Sequence, residues 1–109
     1  DIIRRRGENI AGAELDRVIG AHPALHEAAA VAVPDELGED EILVGVVPKP
    51  GANATAQDIA QWCRERLAPQ KVPRYVLFVD ELPHTPTGKV QKVQFKADKG
   101  LKSRAVDLG

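Results

Sequence analysis

Ala28-Ala29-Ala30-Val31-Ala32-Val33 and Ile42-Leu43-Val44-Gly45-Val46-Val47 are two short apolar runs, and proline ends both. Pro34-Asp35 stops the first, and Pro48-Lys49-Pro50-Gly51 stops the second. Their length and β-branched residues favour strands, the first buried on both faces; its alanine content leaves periodicity alone ambiguous. Between them lies a polar turn, Asp35 to Asp40, containing Gly38. The two runs therefore read as an antiparallel pair, and the rest of the chain must cover that pair.

Ile2-Ile3 and Asn9-Ile10 flank the polar turn Arg4 to Glu8, which reads as a short β-hairpin. Leu15, Val18 and Ile19 recur at helical spacing within Ala13 to Ile19, and Gly20 to Pro23 stops that helix. Thr55 is placed to cap a second helix, with Asp58 three residues on completing a capping box. Ile59, Trp62, Cys63 and Leu67 form its apolar face, and Pro69 closes it. Tyr75 to Val79 reads as a third core strand. Val90, Val93 and Ala97 predict a short terminal helix on their spacing. Trp62 and Phe78 read as core. The expected architecture is α+β: a small, mostly antiparallel three-stranded sheet with an extra N-terminal hairpin and helices packed on it. Residues 101–109 lack periodicity and read as a tail on a domain spanning 1–100.

With 109 residues, 43% of them apolar and 28% charged, the chain suits one globular domain. A formal net charge of −1 gives no overall field to steer it to nucleic acid or an anionic membrane. No run is long and apolar enough to predict a membrane span. Cys63 is the only cysteine, which excludes an internal disulfide and a cysteine metal site and fits a packed small hydrophobe. The expected compartment is the reducing cytoplasm. Asp1-Ile2-Ile3 reads as the inside of a strand with no initiator methionine before it, so a piece of a longer chain is expected.

Pro83-His84-Thr85-Pro86-Thr87-Gly88-Lys89-Val90-Gln91-Lys92 carries the strongest chemical signal. Two prolines stiffen the loop, Gly88 gives it a permissive backbone, and Lys89 is presented at its tip. A Walker phosphate loop is excluded, because GxxxxGK[ST] needs glycine where Pro83 stands and Ser or Thr where Val90 stands. An ammonium on a flexible stem suits a phosphoryl centre whose oxygens gain charge, as an electrostatic clamp and not as a base. The string P-x-T-P-T-G-K-x-x-K resembles the final core motif of adenylate-forming enzymes: acyl-CoA synthetases, luciferases and peptide-synthetase adenylation domains. The resemblance implies that Lys89 supports acyl-adenylate formation, with Gly88 beside it.

A second string, D-I-I-x-x-x-G-E-N-I-x-x-x-E-L over Asp1 to Leu15, resembles the core motif that follows the interdomain hinge of the same family. There it implies a loop that enters the active site for thioester formation. Gly7 would let the pantetheine arm approach, and Arg4, Arg5 or Arg6 would meet CoA phosphates. Taken alone, three arginines are a solvated face. Glu8, Asn9 and Glu14 fit loop and helix-capping roles. Leu67 to Arg74 resembles the segment leading into the third strand. Asp35, Glu36, Glu39, Asp40 and Glu41 resemble the family's P-D-x-x-G-E segment and read as a solvated hairpin turn. His22, His26 and His84 stand apart from any partner at telling spacing. Lys92, Lys96 and Lys99 share a helix face that suits solubility or weak anion binding.

The resemblance covers roughly residues 1 to 97 and implies the C-terminal mobile lid domain of an acyl-CoA synthetase; the Gly-Glu-Asn-Ile wording is more similar to acyl-CoA synthetases, carnitine- and medium-chain-type ligases included, than to peptide-synthetase domains. ATP, magnesium and CoA are then the cofactors of the full enzyme, none held tightly by this piece. The implied partners are the chain's own N-terminal domain, a carboxylic acid, CoA, and a lysine acetyltransferase acting on Lys89. This piece alone is expected to be inactive. An adenylation domain serving a carrier protein's phosphopantetheine, and a non-catalytic anion-binding module, are the alternatives.

Overall fold

The two apolar runs pair antiparallel at the centre of the molecule. In the computed structural model, which describes residues 2–97 and 100–109, they are β3 (Leu25–Pro34) and β4 (Asp40–Pro48), in a register that sets Val31 opposite Leu43. Before them come β1 (Ile2–Arg5), β2 (Glu8–Ala11) and α1 (Gly12–Gly20). After them come α2 (Ala56–Arg66), a 3-10 turn at Pro69–Lys71, β5 (Tyr75–Phe78), α3 (Lys92–Lys96), α4 (Leu101–Arg104) and β6 (Val106–Asp107). β1 and β2 form a separate antiparallel hairpin; the main sheet runs β3-β4-β5-β6. β4 and β5 are parallel, and the other two contacts in that sheet are antiparallel.

Strand alternation sorts the core into two layers. Ala28, Ala30, Ala32, Ile42, Val44, Val46 and Val76 pack with Leu15 and Ile19 of α1, Ile59 and Cys63 of α2, and Ile3 and Ile10 of the hairpin. Ala29, Val31, Val33, Leu43 and Leu77 face the other way, onto Leu82, Phe95 and Leu101. β3 is thus buried on both faces, and its alanines leave room for α1 to lie close. The capping box of α2 is present: Asp58 N donates to Thr55 Oγ1 at 3.1 Å, and Thr55 N donates to Asp58 Oδ2 at 2.9 Å. Its reward is two satisfied backbone donors at the start of the helix. Trp62 is half-buried and joins the helices, its Nε1 donating to Val18 O at 2.8 Å. Phe78 packs against the core from a half-buried position.

The α+β class and the mostly antiparallel sheet are borne out, with one correction: the sheet has four strands, not three. The fourth comes from residues expected to be a tail. Leu101 is buried, Lys102 Nζ donates to Pro34 O at 2.7 Å, and Leu108 N donates to Arg74 O at 2.7 Å. A four-residue helix and a two-residue strand are too short to leave a periodic signal.

The terminal helix also turns differently from its predicted face. Val93 is 87% exposed and Ala97 is exposed, whereas Phe95 is only 6% exposed. α3 has 5 residues, little more than one turn, so a spacing argument cannot orient it. Lys96 is exposed, and Asp1 and Lys99 lie outside the described residues. Among the described residues, no helix is long and apolar enough to cross a membrane.

Candidate active-site loops

Lys89 follows a tight turn. Gly88 N donates to Thr85 O at 2.9 Å, and Gly88 has φ +90°, a backbone region that penalises a side chain. Thr85 N donates to Lys89 O at 2.7 Å, while Lys89 N donates to Thr85 Oγ1 at 3.1 Å. His84 and Val90 pair as an antiparallel bridge, closing the loop at its base. Both arms are then tied to the body of the fold. His84 Nε2 and Glu27 Oε2 are 2.9 Å apart, and Lys92 Nζ is 2.8 Å from Asp16 Oδ2. The other oxygen of Asp16 accepts from Ala30 N at 2.8 Å, so the carboxylate is itself fixed.

The Lys89 side chain is exposed, and its Nζ has no hydrogen bond or ion pair among the described residues. With Asp16, Ala28, Val90, Lys92 and Val93 it lines a cleft of about 600 Å³. A loop clamped at its base therefore presents a cation that no described residue neutralises. Asp16, Glu27 and the structural use of His84 and Lys92 were missed by sequence reading, because their partners lie far along the chain.

The second predicted loop is the β1–β2 hairpin. Arg5 pairs with Glu8, leaving Arg6-Gly7 as a two-residue turn. Both turn residues have positive φ, 51° for Arg6 and 84° for Gly7, the signature of a type I′ turn. A Cβ on Gly7 would meet nothing within 4 Å, so the backbone conformation, and not crowding within this domain, calls for glycine.

The three arginines separate. Arg4 and Arg6 are exposed, and with Gly7, Glu39 and Asp40 they line a cleft of about 250 Å³. Arg5 is 8% exposed and faces inward. Its Nη1 donates to Gln70 O at 3.0 Å and Val72 O at 2.9 Å, and its Nη2 donates to Glu41 Oε2 at 3.4 Å. Its Nε lies 2.5 Å from Glu41 Oε1 as an ion-pair contact without hydrogen-bond alignment. Arg5 is thus committed to the fold and is not free to meet a phosphate. Glu41 corrects the solvated-turn reading at one position: it is 4% exposed. Removing one partner of such a pair costs about 3–5 kcal/mol, because the other charge stays buried.

Asp35, Glu36 and Glu39 lie in the turn, as expected, whereas Asp40 is half-buried and opens β4 opposite Pro34. Asp35 Oδ1 accepts from Leu37 N at 2.8 Å and Glu39 N at 2.9 Å. Glu14 has a different partner from the capping role expected of it, Lys71 Nζ at 2.8 Å. Cys63 is fully buried, and loss of solvent pushes its thiol up to about 11, so it packs and does not react at neutral pH. The two loops line different clefts, so the fold does not bring Lys89 and Gly7 together.

Residues 14–89 match the model of the AMP-binding enzyme C-terminal domain. The chain belongs to that family. A mitochondrial medium-chain acyl-CoA ligase of Danio rerio is 42% identical over 92 residues, covering 84% of this chain and 15% of the relative. An oxalate–CoA ligase of Arabidopsis thaliana is 40% identical over 92 residues, covering 84% of this chain and 18% of the relative. Among solved structures, a fatty acyl CoA synthetase of Mycobacterium tuberculosis superposes with a TM-score of 0.83 at 33% identity, over 91% of this chain and 20% of that one. The chain therefore spans a fifth or less of the length of these relatives. The matched residues include β3, β4, β5 and the loop that ends in Lys89.

Proposed function

We propose that this chain is the mobile C-terminal domain of an acyl-CoA ligase, serving a two-step reaction. In the first step a carboxylate oxygen attacks the α-phosphorus of ATP, giving an acyl-adenylate and pyrophosphate. In the second the CoA thiol attacks the acyl carbonyl, giving the thioester and AMP, with the thiol proton passing to solvent. Lys89 stabilises charge on the phosphoryl oxygens in the first step. The Gly7 turn admits the thiol arm in the second, and Arg4 and Arg6 meet CoA phosphates.

The observation that carries this reading is the pair of loops lining separate clefts: an unneutralised lysine on a clamped turn, and a glycine turn flanked by outward arginines. Two chemically different loops on one small domain suit a lid that presents one and then the other by rotating against a larger domain. Family membership and the naming of its relatives as CoA ligases support the same reading. The acyl substrate would be chosen by that larger domain.

Among the described residues, no three His, Cys, Asp or Glu side chains form a metal site. Magnesium would arrive on the nucleotide's phosphates. Exposure of Lys89 makes it accessible to an acetyltransferase, and acetylation would remove the charge used in the first step. The cytoplasm is the compartment proposed.

The test is to separate the two half-reactions in the full protein carrying this chain. Lys89→Ala is expected to lower acid-dependent pyrophosphate release by about a hundredfold to a thousandfold, the usual loss for one transition-state donor. Thioester formation from preformed acyl-adenylate should survive. Equal rates for variant and wild type in pyrophosphate release would remove Lys89 from the mechanism and favour an anion-binding module.

A further inference from the structure

The β1–β2 hairpin is not hydrogen-bonded into the four-stranded sheet, so something else must set its direction. Ile3 and Ile10 anchor it in the core, but apolar contacts are not directional. The directional contacts come from Arg5. Its guanidinium reaches the carbonyls of Gln70 and Val72, in the segment after α2, and the carboxylate of Glu41 at the start of β4. Three separate segments therefore meet at one planar, buried fork.

Glu41 follows directly on Asp40, which lines the cleft beside Arg4, Arg6 and Gly7. The arginine turn and the acidic turn opposite it are thus joined through the buried Arg5–Glu41 pair, whose carboxylate Oε2 also lies 3.9 Å from Arg74 Nη1. Arg5 is the residue before the turn, so a small change in its direction moves Arg6 and Gly7 directly.

We propose that Glu41 is a positioning residue for thioester formation: by holding Arg5 it fixes the hairpin turn, so that Gly7 and the outward arginines meet CoA in one orientation. This rests on the acyl-CoA ligase reading above. Glu41 touches no substrate; it acts through Arg5. Lys89 lies on another loop with its own anchors at Glu27 and Asp16, so adenylation should not depend on Glu41.

The experiment compares wild type, Glu41→Gln and the double variant Arg5→Met/Glu41→Met in the full protein. Pyrophosphate release and CoA thioester formation from preformed adenylate are read in the same preparations, with the KM for CoA. Glu41→Gln should slow the thioester step about tenfold to a hundredfold, the scale of a misplacement near 1 Å, and leave adenylation unchanged. If Glu41→Gln fails to fold, the double variant decides, since apolar replacement of both members of a buried ion pair is often neutral or stabilising, whereas removing one leaves a buried charge unpaired. It keeps packing but loses the fork, so it should show the same selective loss.

Equal loss in both half-reactions would mean a structural role only and would overturn the assignment. A folded variant with wild-type thioester rate and KM for CoA would overturn it as well. A wild-type protein that forms adenylate but transfers nothing to CoA would overturn both this assignment and the ligase reading beneath it.

Discussion

A Cβ on Gly45 would lie 2.5 Å from Cζ of Phe95, so the missing side chain in β4 is the space that the α3 ring fills. Glycine normally weakens a strand, and here it makes room for the main contact of a short helix. Gly45→Ala should therefore destabilise the fold by about 1–3 kcal/mol, the usual cost of overpacking. The check is a denaturant midpoint that falls with unchanged slope. A midpoint at or above wild type would show that the ring moves aside freely.

That relationship also explains what sequence could and could not disclose. The β3 and β4 runs, the capping box at Thr55 and Asp58, and the loop ending in Gly88-Lys89 were legible because each is a local pattern. The face of α3 was not, because a hole at Gly45, far along the chain, decides which residue turns inward. The inward role of Arg5 was equally hidden. It is one of three adjacent arginines, and its partner Glu41 sits 36 residues away, among acidic neighbours that are exposed or half-buried. Residues 101–109 gave no pattern because their hold on the fold depends on Leu101, Leu108 and the Arg74–Asp107 contact and not on periodicity.

The Arg74 cluster should govern acid stability. Arg74 Nε is 3.1 Å from Asp107 Oδ1, and its Nη2 is 3.3 Å from Glu36 Oε1. Asp107 is held below the usual 3.8 mainly by hydrogen bonding to Arg74. Glu36 is held below 4.5, first by its own backbone N–H and then by Arg74. Depressed carboxyl groups bind fewer protons folded than unfolded. Their contribution is complete above 4.5 and is lost as pH falls through the lower folded values. Arg74→Gln should thus flatten the fall in melting temperature below that pH. An unchanged acid slope would show that these exposed pairs contribute nothing measurable.

Cys63 sets an opposite, alkaline limit. Its thiol is raised from 9.0 to about 11 by burial, so the folded state keeps a proton that the unfolded state releases. The contribution is complete below 9.0 and is lost as pH rises toward 11. A thiol reagent should react with Cys63 at neutral pH only after denaturation. Cys63→Ala should remove part of the alkaline loss of stability while lowering stability overall by creating a cavity. Rapid labelling of the native protein at neutral pH would contradict the packing role.

Arg4 and Arg6 offer the sharpest check on the hairpin. Both are exposed beside Gly7 and free of partners among the described residues, whereas Arg5 is not. If they meet CoA phosphates, Arg4→Ala and Arg6→Ala should each raise the KM for CoA by less than about fivefold, since an exposed pair contributes about 0.2–1 kcal/mol. The effect should shrink as salt rises, because screening weakens the wild-type contact too. Neither change should alter pyrophosphate release, since Lys89 lines another cleft. Truncating CoA supplies the matching half of the argument. With a pantetheine substrate that lacks the nucleotide phosphates, wild type and the two variants should share one KM. A penalty that persists with that substrate would place the arginines in loop structure and not in phosphate recognition.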